Sequence, residues 1–171
     1  GVLDIINSGS AMELDSQTIA YIQHIVELRH IHTLWFEAHY MYRHQLAKFA
    51  AQFQGVTVKF RCGIESFDGA LRKEWNKGVA SDVCVKEVAK YFQGVCLLCC
   101  TQGNSKERIL KDIALAEQYF EYASVNVFCE NSTSIKRDNA LAKWFVEEVY
   151  PNLKDSSKIE VLVENTDLGV G

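Results

Sequence analysis

Val56–Gly78, VTVKFRCGIESFDGALRKEWNKG, is the stretch from which the fold can be read. It opens with alternation: Val56, Val58 and Phe60 face one way, Thr57, Lys59 and Arg61 the other, which predicts a strand. At Cys62–Ile64 the strand meets a glycine, and Glu65, Ser66 and Asp68 follow at once. A helix is expected from about Gly69 to Trp75, ended by Asn76–Lys77–Gly78. In parallel α/β sheets and barrels, ligands bind just beyond the carboxyl ends of strands, so Glu65 is a candidate binding residue. The same spacing also fits a helix cap with a solvated glutamate.

Outward from that stretch, strand-like starts fall near residues 2, 31, 56, 94, 124 and 158, with helical patterns between most of them. The helices expected are Ser16–Leu28, Tyr42–Gln52, Ser81–Phe92, Lys106–Ala123 and Asp138–Val149, the last ended with help from Pro151. Such alternation implies βα units and a mainly parallel sheet, open or curled into a barrel. The chain of 171 residues, 48% hydrophobic and 23% charged, suits one domain, residues 1–171. A net charge of −4 does not indicate nucleic acid as a partner. No apolar run approaches the ~20 residues that span a bilayer, and no secretory signal stands at Gly1. Without an initial methionine, and opening on the strand-like run Val2–Ile6, the chain reads as a domain cut from a longer protein.

Cys62, Cys84, Cys96, Cys99, Cys100 and Cys129 lie mostly in apolar, strand-like context and suit a reducing cytoplasm better than a disulfide framework. On a regular strand Cys96 and Cys100 would share one face and Cys99 the other, so core cysteines are expected rather than a CxxC site. His30, His32, His39 and His44 invite a metal reading through the HxH pair, against surface or capping histidines.

GIESFDGALRKEWNKG resembles the fourth strand–turn–helix of radical S-adenosylmethionine enzymes, such as oxygen-independent coproporphyrinogen oxidases and methylthiotransferases. The resemblance implies that Glu65 contacts the ribose of S-adenosylmethionine and that Lys77 meets its carboxylate. Asn7–Ser8–Gly9–Ser10 is similar to the family's S-G-S and G-G-E loops, which receive the amino group. LWFEAH resembles the I-E-A-N stretch after the third strand, placing Glu37 at the barrel mouth. Gln102–Gly103 stands where the family has G-x-P-G-E-T, here without the proline, and Asn131 stands in a loop similar to N-x-T-x; both would line the mouth. The implied architecture is a partial TIM-type barrel with about five βα units of a six-unit radical barrel plus a terminal strand.

The family's CxxxCxxC loop, whose thiolates hold a 4Fe-4S cluster, is absent: Cys96 and Cys100 give CxxxC, but the third position is Gly103. Cluster ligands are therefore expected upstream, and no metal ligand is assigned here. The implied parent is an iron–sulfur oxidoreductase that cleaves S-adenosylmethionine reductively to a 5′-deoxyadenosyl radical, which abstracts hydrogen from an unidentified substrate. An electron-donor protein is an implied partner, and this chain alone is expected to be inactive. Two other readings remain: a barrel interaction domain that has lost its cluster, and a metal-dependent hydrolase using Glu37, His30, His32 and His39.

Overall fold

The alternating and apolar runs become six strands: β1 Val2–Ile5, β2 Thr33–Glu37, β3 Thr57–Glu65, β4 Gly94–Cys99, β5 Tyr122–Val127 and β6 Ile159–Leu162. The computed structural model describes residues 1–7 and 9–164, so Ser8 and the polar end at 165–171 lie outside the described residues. Every strand pairs in parallel with its sequence neighbours, in the order β1-β2-β3-β4-β5-β6. Parallel neighbours need a crossover, and the segments between them supply helices. These are α1 Ser16–Arg29, α2 Leu46–Ala50, α3 Gly69–Glu74, α4 Val85–Ala89, α5 Lys106–Tyr119, α6 Asn139–Trp144 and α7 Tyr150–Leu153.

Alternation sorts the two faces of the sheet. Leu34, Phe36, Phe60, Cys62, Ile64, Leu97, Val125 and Val127 are buried in the common core with the helices. The opposite face carries Asp4, Trp35, Glu37, Arg61, Cys96 and Ser124. A cavity of about 520 Å³ at the amino-terminal ends of the strands is lined both by Val2 and Asp4 of β1 and by Ile159–Val161 on β6. Residues from both edge strands thus line one hollow: the sheet is a curled half-barrel, the partial TIM-type barrel expected. Among the described residues, no helix is long and apolar enough to cross a membrane.

Several local expectations are corrected. The helix expected over Ser81–Phe92 shrinks to Val85–Ala89, because the carbonyls of Ser81 and Val83 accept from Arg72 rather than from a following helical turn, and the Ala80 carbonyl is shared between Arg72 and the Val83 N–H. The second expected helix shrinks to Leu46–Ala50, after a 3-10 turn at Tyr40–Tyr42. α5 stops at Tyr119; Phe120 leaves it to stack on Phe67, with ring centroids 5.9 Å apart, and β5 begins two residues later. Ile25 of α1 and Leu110 of α5 are exposed. Pro151 does not end the last helix. A single π turn, Phe145–Val149, precedes α7, where Pro151 sits in the first turn and needs no helical donor. Cys99 and Cys100 do not point apart: Cys100 leaves the strand at φ +65°, bringing the two thiols to 3.6 Å.

Candidate functional site

β3 ends at Glu65 with φ +66°, a left-handed conformation unusual for any residue but glycine, after its register with β4 slips between Cys62 and Glu65. Strained backbone of this kind survives only where the surroundings hold it. Here the holding is explicit. Ser66 Oγ donates to Asp112 Oδ2 at 2.6 Å and the Phe67 N–H to Asp112 Oδ1 at 3.0 Å. The wholly buried Arg72 guanidinium donates to the carbonyls of Ser66 (2.9 Å), Ala80 (2.9 Å) and Val83 (2.8 Å). Asp68 caps α3 by accepting from the N–H groups of Ala70 and Leu71. A Cβ on Gly69 would lie 2.1 Å from the Ser81 carbonyl oxygen, so only glycine fits. The S-F-D-G-A-L-R run is a clamp for the end of β3.

α3 closes with a Schellman motif. Asn76 (φ +53°) donates its N–H to the Lys73 carbonyl at 3.2 Å, and the Lys77 N–H reaches the Arg72 carbonyl at 3.1 Å. This turns Lys77 back, so that its Nζ meets Glu65 Oε1 at 2.9 Å. His39 secures the same backbone: Nε2 lies 2.9 Å from the Lys77 carbonyl, while Nδ1 accepts the Met41 N–H at 3.2 Å. That pair of contacts requires the neutral, Nε2-protonated tautomer.

Glu37, at the end of β2, faces Glu65 across Gly63. A Cβ on Gly63 would stand 3.1 Å from Glu37 Oε1 and 3.9 Å from Glu65 Oε1. Glu37 Oε2 receives a weak donation from the Cys96 thiol at 3.6 Å and lies 3.8 Å from Arg61 Nε. The Arg61 fork is already committed to Asp4, at 2.7 and 2.6 Å. Burial, seconded by the Glu65 charge, holds the Glu37 carboxyl above the usual glutamate range. Burial likewise pushes the Cys96 thiol well up, so it stays protonated.

The loop after β1 forms the third wall. Asn7 Nδ2 donates to the Ser10 carbonyl at 3.2 Å, and Asn7 Oδ1 is buried without a hydrogen-bond partner among the described residues. Ser10 caps the 3-10 turn Ala11–Glu13, and the Glu13 carboxylate folds over Gly9, where a Cβ would stand 2.2 Å from Oε2. These parts enclose a cavity of about 380 Å³ whose walls include Asn7, Gly9, Ser10, Glu13, Glu37, His39, Gly63, Glu65 and Lys77.

The structure thus gathers Asn7, Gly9, Ser10, Glu37, Glu65 and Lys77, six of the residues singled out in the sequence, around one space. Ser8 lies outside the described residues. Gln102 and Asn131 stand outside this lining, in the loops after β4 and β5. Gln102 is exposed with its N–H on the Lys136 carbonyl, and Asn131 Oδ1 accepts from Thr133. Glu13 was not foreseen; an acid closely following a small-residue loop is its only trace in the sequence. The histidines do not converge. His30 is the C-cap of α1 and His32 precedes β2, whereas His39 lies beyond that strand's other end. Among the described residues, no three His, Cys, Asp or Glu side chains are grouped to hold a metal, which removes the basis of the hydrolase reading.

Among the described residues the cavity therefore offers one ammonium, a carboxylate paired with it, an unpartnered amide oxygen and two further carboxylates. These match a ligand that carries a carboxylate, a diol and positive charge.

No protein-family model and no curated protein matches the sequence. Among solved structures, a queuine lyase from Clostridium spiroforme bound to SAM and queuine is similar, at 39% identity and a TM-score of 0.90. The alignment covers 99% of this chain and 73% of that one. Identity at this level over nearly the whole chain, on the same six-stranded half-barrel, establishes common descent: the chain belongs to the radical S-adenosylmethionine superfamily.

Proposed function

We propose that this chain is the S-adenosylmethionine-binding core of a radical enzyme that cleaves queuine or a closely similar 7-deazaguanine base. The observation that carries the cofactor reading is the convergence of Glu65–Lys77 with Glu13 and the orphan Asn7 Oδ1 on one cavity. The substrate reading is supported by the 39% identity to a queuine lyase. In this assignment Lys77 holds the methionine carboxylate and Glu65 accepts from the ribose hydroxyls. Glu13 and Asn7 Oδ1 accept from the methionine ammonium, and the Gly9–Ser10 backbone closes around it. Gln102 and Asn131, beyond the ends of β4 and β5, flank the adenine.

S-adenosylmethionine supplies, on one-electron reduction of its sulfonium, a 5′-deoxyadenosyl radical able to take hydrogen from a substrate. The described residues do not fit the 4Fe-4S cluster that performs this reduction in the family. Four of the six cysteines are buried, and no three are grouped. The cluster's thiolates would belong to other residues of the protein, with electrons from a donor protein. Free cysteines throughout favour a reducing compartment such as the cytoplasm.

Equilibrium binding of S-adenosylmethionine to the full-length gene product tests the assignment. Lys77→Met and Glu65→Gln should each weaken binding about tenfold or more, as expected for a lost charge-assisted contact. Unchanged affinity in both variants would overturn it.

A further inference from the structure

We infer that Glu37 receives the substrate, and that it binds a protonated amine carried by the base rather than the base's own hydrogen-bonding edge. This rests on the reading of the neighbouring cavity as the S-adenosylmethionine site. The charges around the mouth do not balance within the protein. Three carboxylates, Glu13, Glu37 and Glu65, line the cavity with one cation, Lys77, and the Arg61 guanidinium lies between Asp4 and Glu37. Asp4 and Arg61 close on each other as a bidentate pair, and Glu65 is matched by Lys77. Among the described residues Glu13 has no cationic partner, and Glu37 has only the edge of Arg61 at 3.8 Å, whose fork is held by Asp4. S-adenosylmethionine, with an ammonium and a sulfonium against one carboxylate, brings one net positive charge, and Glu13 stands beside the loop assigned to its amino group. One negative charge remains, on Glu37.

The shape of the site selects the kind of cation. Glu37 Oε2 is occupied by the Cys96 thiol and the edge of Arg61, while Oε1 opens toward the space kept clear by Gly63. An amidine-type edge, such as N1–H with the 2-amino group of a guanine-like ring, needs both oxygens of one carboxylate in plane. A single free oxygen accepts one N–H, which suits an ammonium. Its side chain is 37% exposed, so a ligand reaches it. Queuine carries its side chain through a secondary amine that is protonated near neutral pH. Glu37 would fix that nitrogen, and so the bonds beside it, next to Glu65 and the ribose of the cofactor.

Two probes separate amine from edge: 7-aminomethyl-7-deazaguanine and 7-deazaguanine, titrated into the full-length protein saturated with S-adenosylmethionine. The native protein should prefer the aminomethyl compound about tenfold or more. Glu37→Gln, which keeps shape and loses charge, should abolish the preference while leaving affinity for 7-deazaguanine and for S-adenosylmethionine unchanged. Gly63→Ala, which crowds Oε1 but keeps the charge, should lower the preference as well. Glu13→Gln should weaken the cofactor and spare the preference. A preference that persists in Glu37→Gln, or an equal loss for both compounds, would overturn the inference. If S-adenosylmethionine binds but neither base does, the inference fails and the cofactor reading stands. If S-adenosylmethionine does not bind, both fall.

Discussion

Replacing Arg72 by methionine tests how the end of β3 is held. The side chain is wholly buried and donates to three carbonyls, those of Ser66, Ala80 and Val83, at 2.9, 2.9 and 2.8 Å, with a fourth, longer contact to Ser81 at 3.3 Å. A hydrogen bond to a charged group is worth roughly 1.5–3 kcal/mol, so three short ones amount to roughly 4.5–9 kcal/mol gross. Against this, the variant no longer buries a guanidinium, an effective relief of several kcal/mol. Burial also lowers the Arg72 pKa, with Asp112 and Asp68 opposing, as expected of a charge whose solvation is only partly replaced. The net expectation is a destabilisation of about 2–4 kcal/mol. Arg72→Lys should recover little, because one ammonium cannot reach three diverging carbonyls. Urea titration of each variant against the native chain reads the difference as a shift in midpoint at constant slope. The loop 76–83 carries Lys77, so affinity for S-adenosylmethionine should fall with it. A loss under about 1 kcal/mol for the methionine variant would refute the clamp, since an average point substitution costs about that much.

Gly69→Ala should cost about 3 kcal/mol in the same assay, because the new methyl meets backbone 2.1 Å away and that backbone also serves Arg72; a neutral result would show that the turn can shift freely. Glu37→Gln should stabilise the protein near neutral pH. The folded state holds this carboxyl above its ordinary value, with Glu65, Arg61, Cys96 and Lys77 as its charged or titratable neighbours, so ionisation penalises folding as pH rises through the raised value. The advantage should vanish as pH falls below the ordinary glutamate range, and a pH-independent difference would contradict the cause given. In the native state a maleimide should modify exposed Cys84 fastest, Cys129 more slowly, and buried Cys62, Cys96, Cys99 and Cys100 only on unfolding. Rapid labelling of any buried thiol, located by peptide mass, would argue against this packing.

The strands were legible because each is short and faces the helices with one apolar row, as in Val58, Phe60, Cys62 and Ile64. The helix boundaries were less so. Ser81–Phe92 has helical periodicity, yet the carbonyls of Ser81 and Val83 serve a buried arginine nine and eleven residues earlier, a tertiary demand no local pattern announces. Tyr122 looked like helix because the apolar stripe of α5 runs on into the first residues of β5 without a break. Glu65 and Lys77 could be found because strand end, turn and helix stop are all local. Glu13 could not, since its place depends on a 3-10 turn folding it back over Gly9. The Cys99–Cys100 contact is hidden in the sequence for a similar reason: strand alternation fails where one residue adopts positive φ.

The function we propose is radical chemistry on an amine-bearing base. The most direct measurement is 5′-deoxyadenosine formed from S-adenosylmethionine by the full-length gene product, reconstituted anaerobically with iron and sulfide, reduced, and assayed with and without queuine. The account predicts 5′-deoxyadenosine and methionine in both cases, formed faster with queuine and accompanied by its loss. A reconstituted protein that forms no 5′-deoxyadenosine under either condition would contradict it, leaving a half-barrel that binds without reacting.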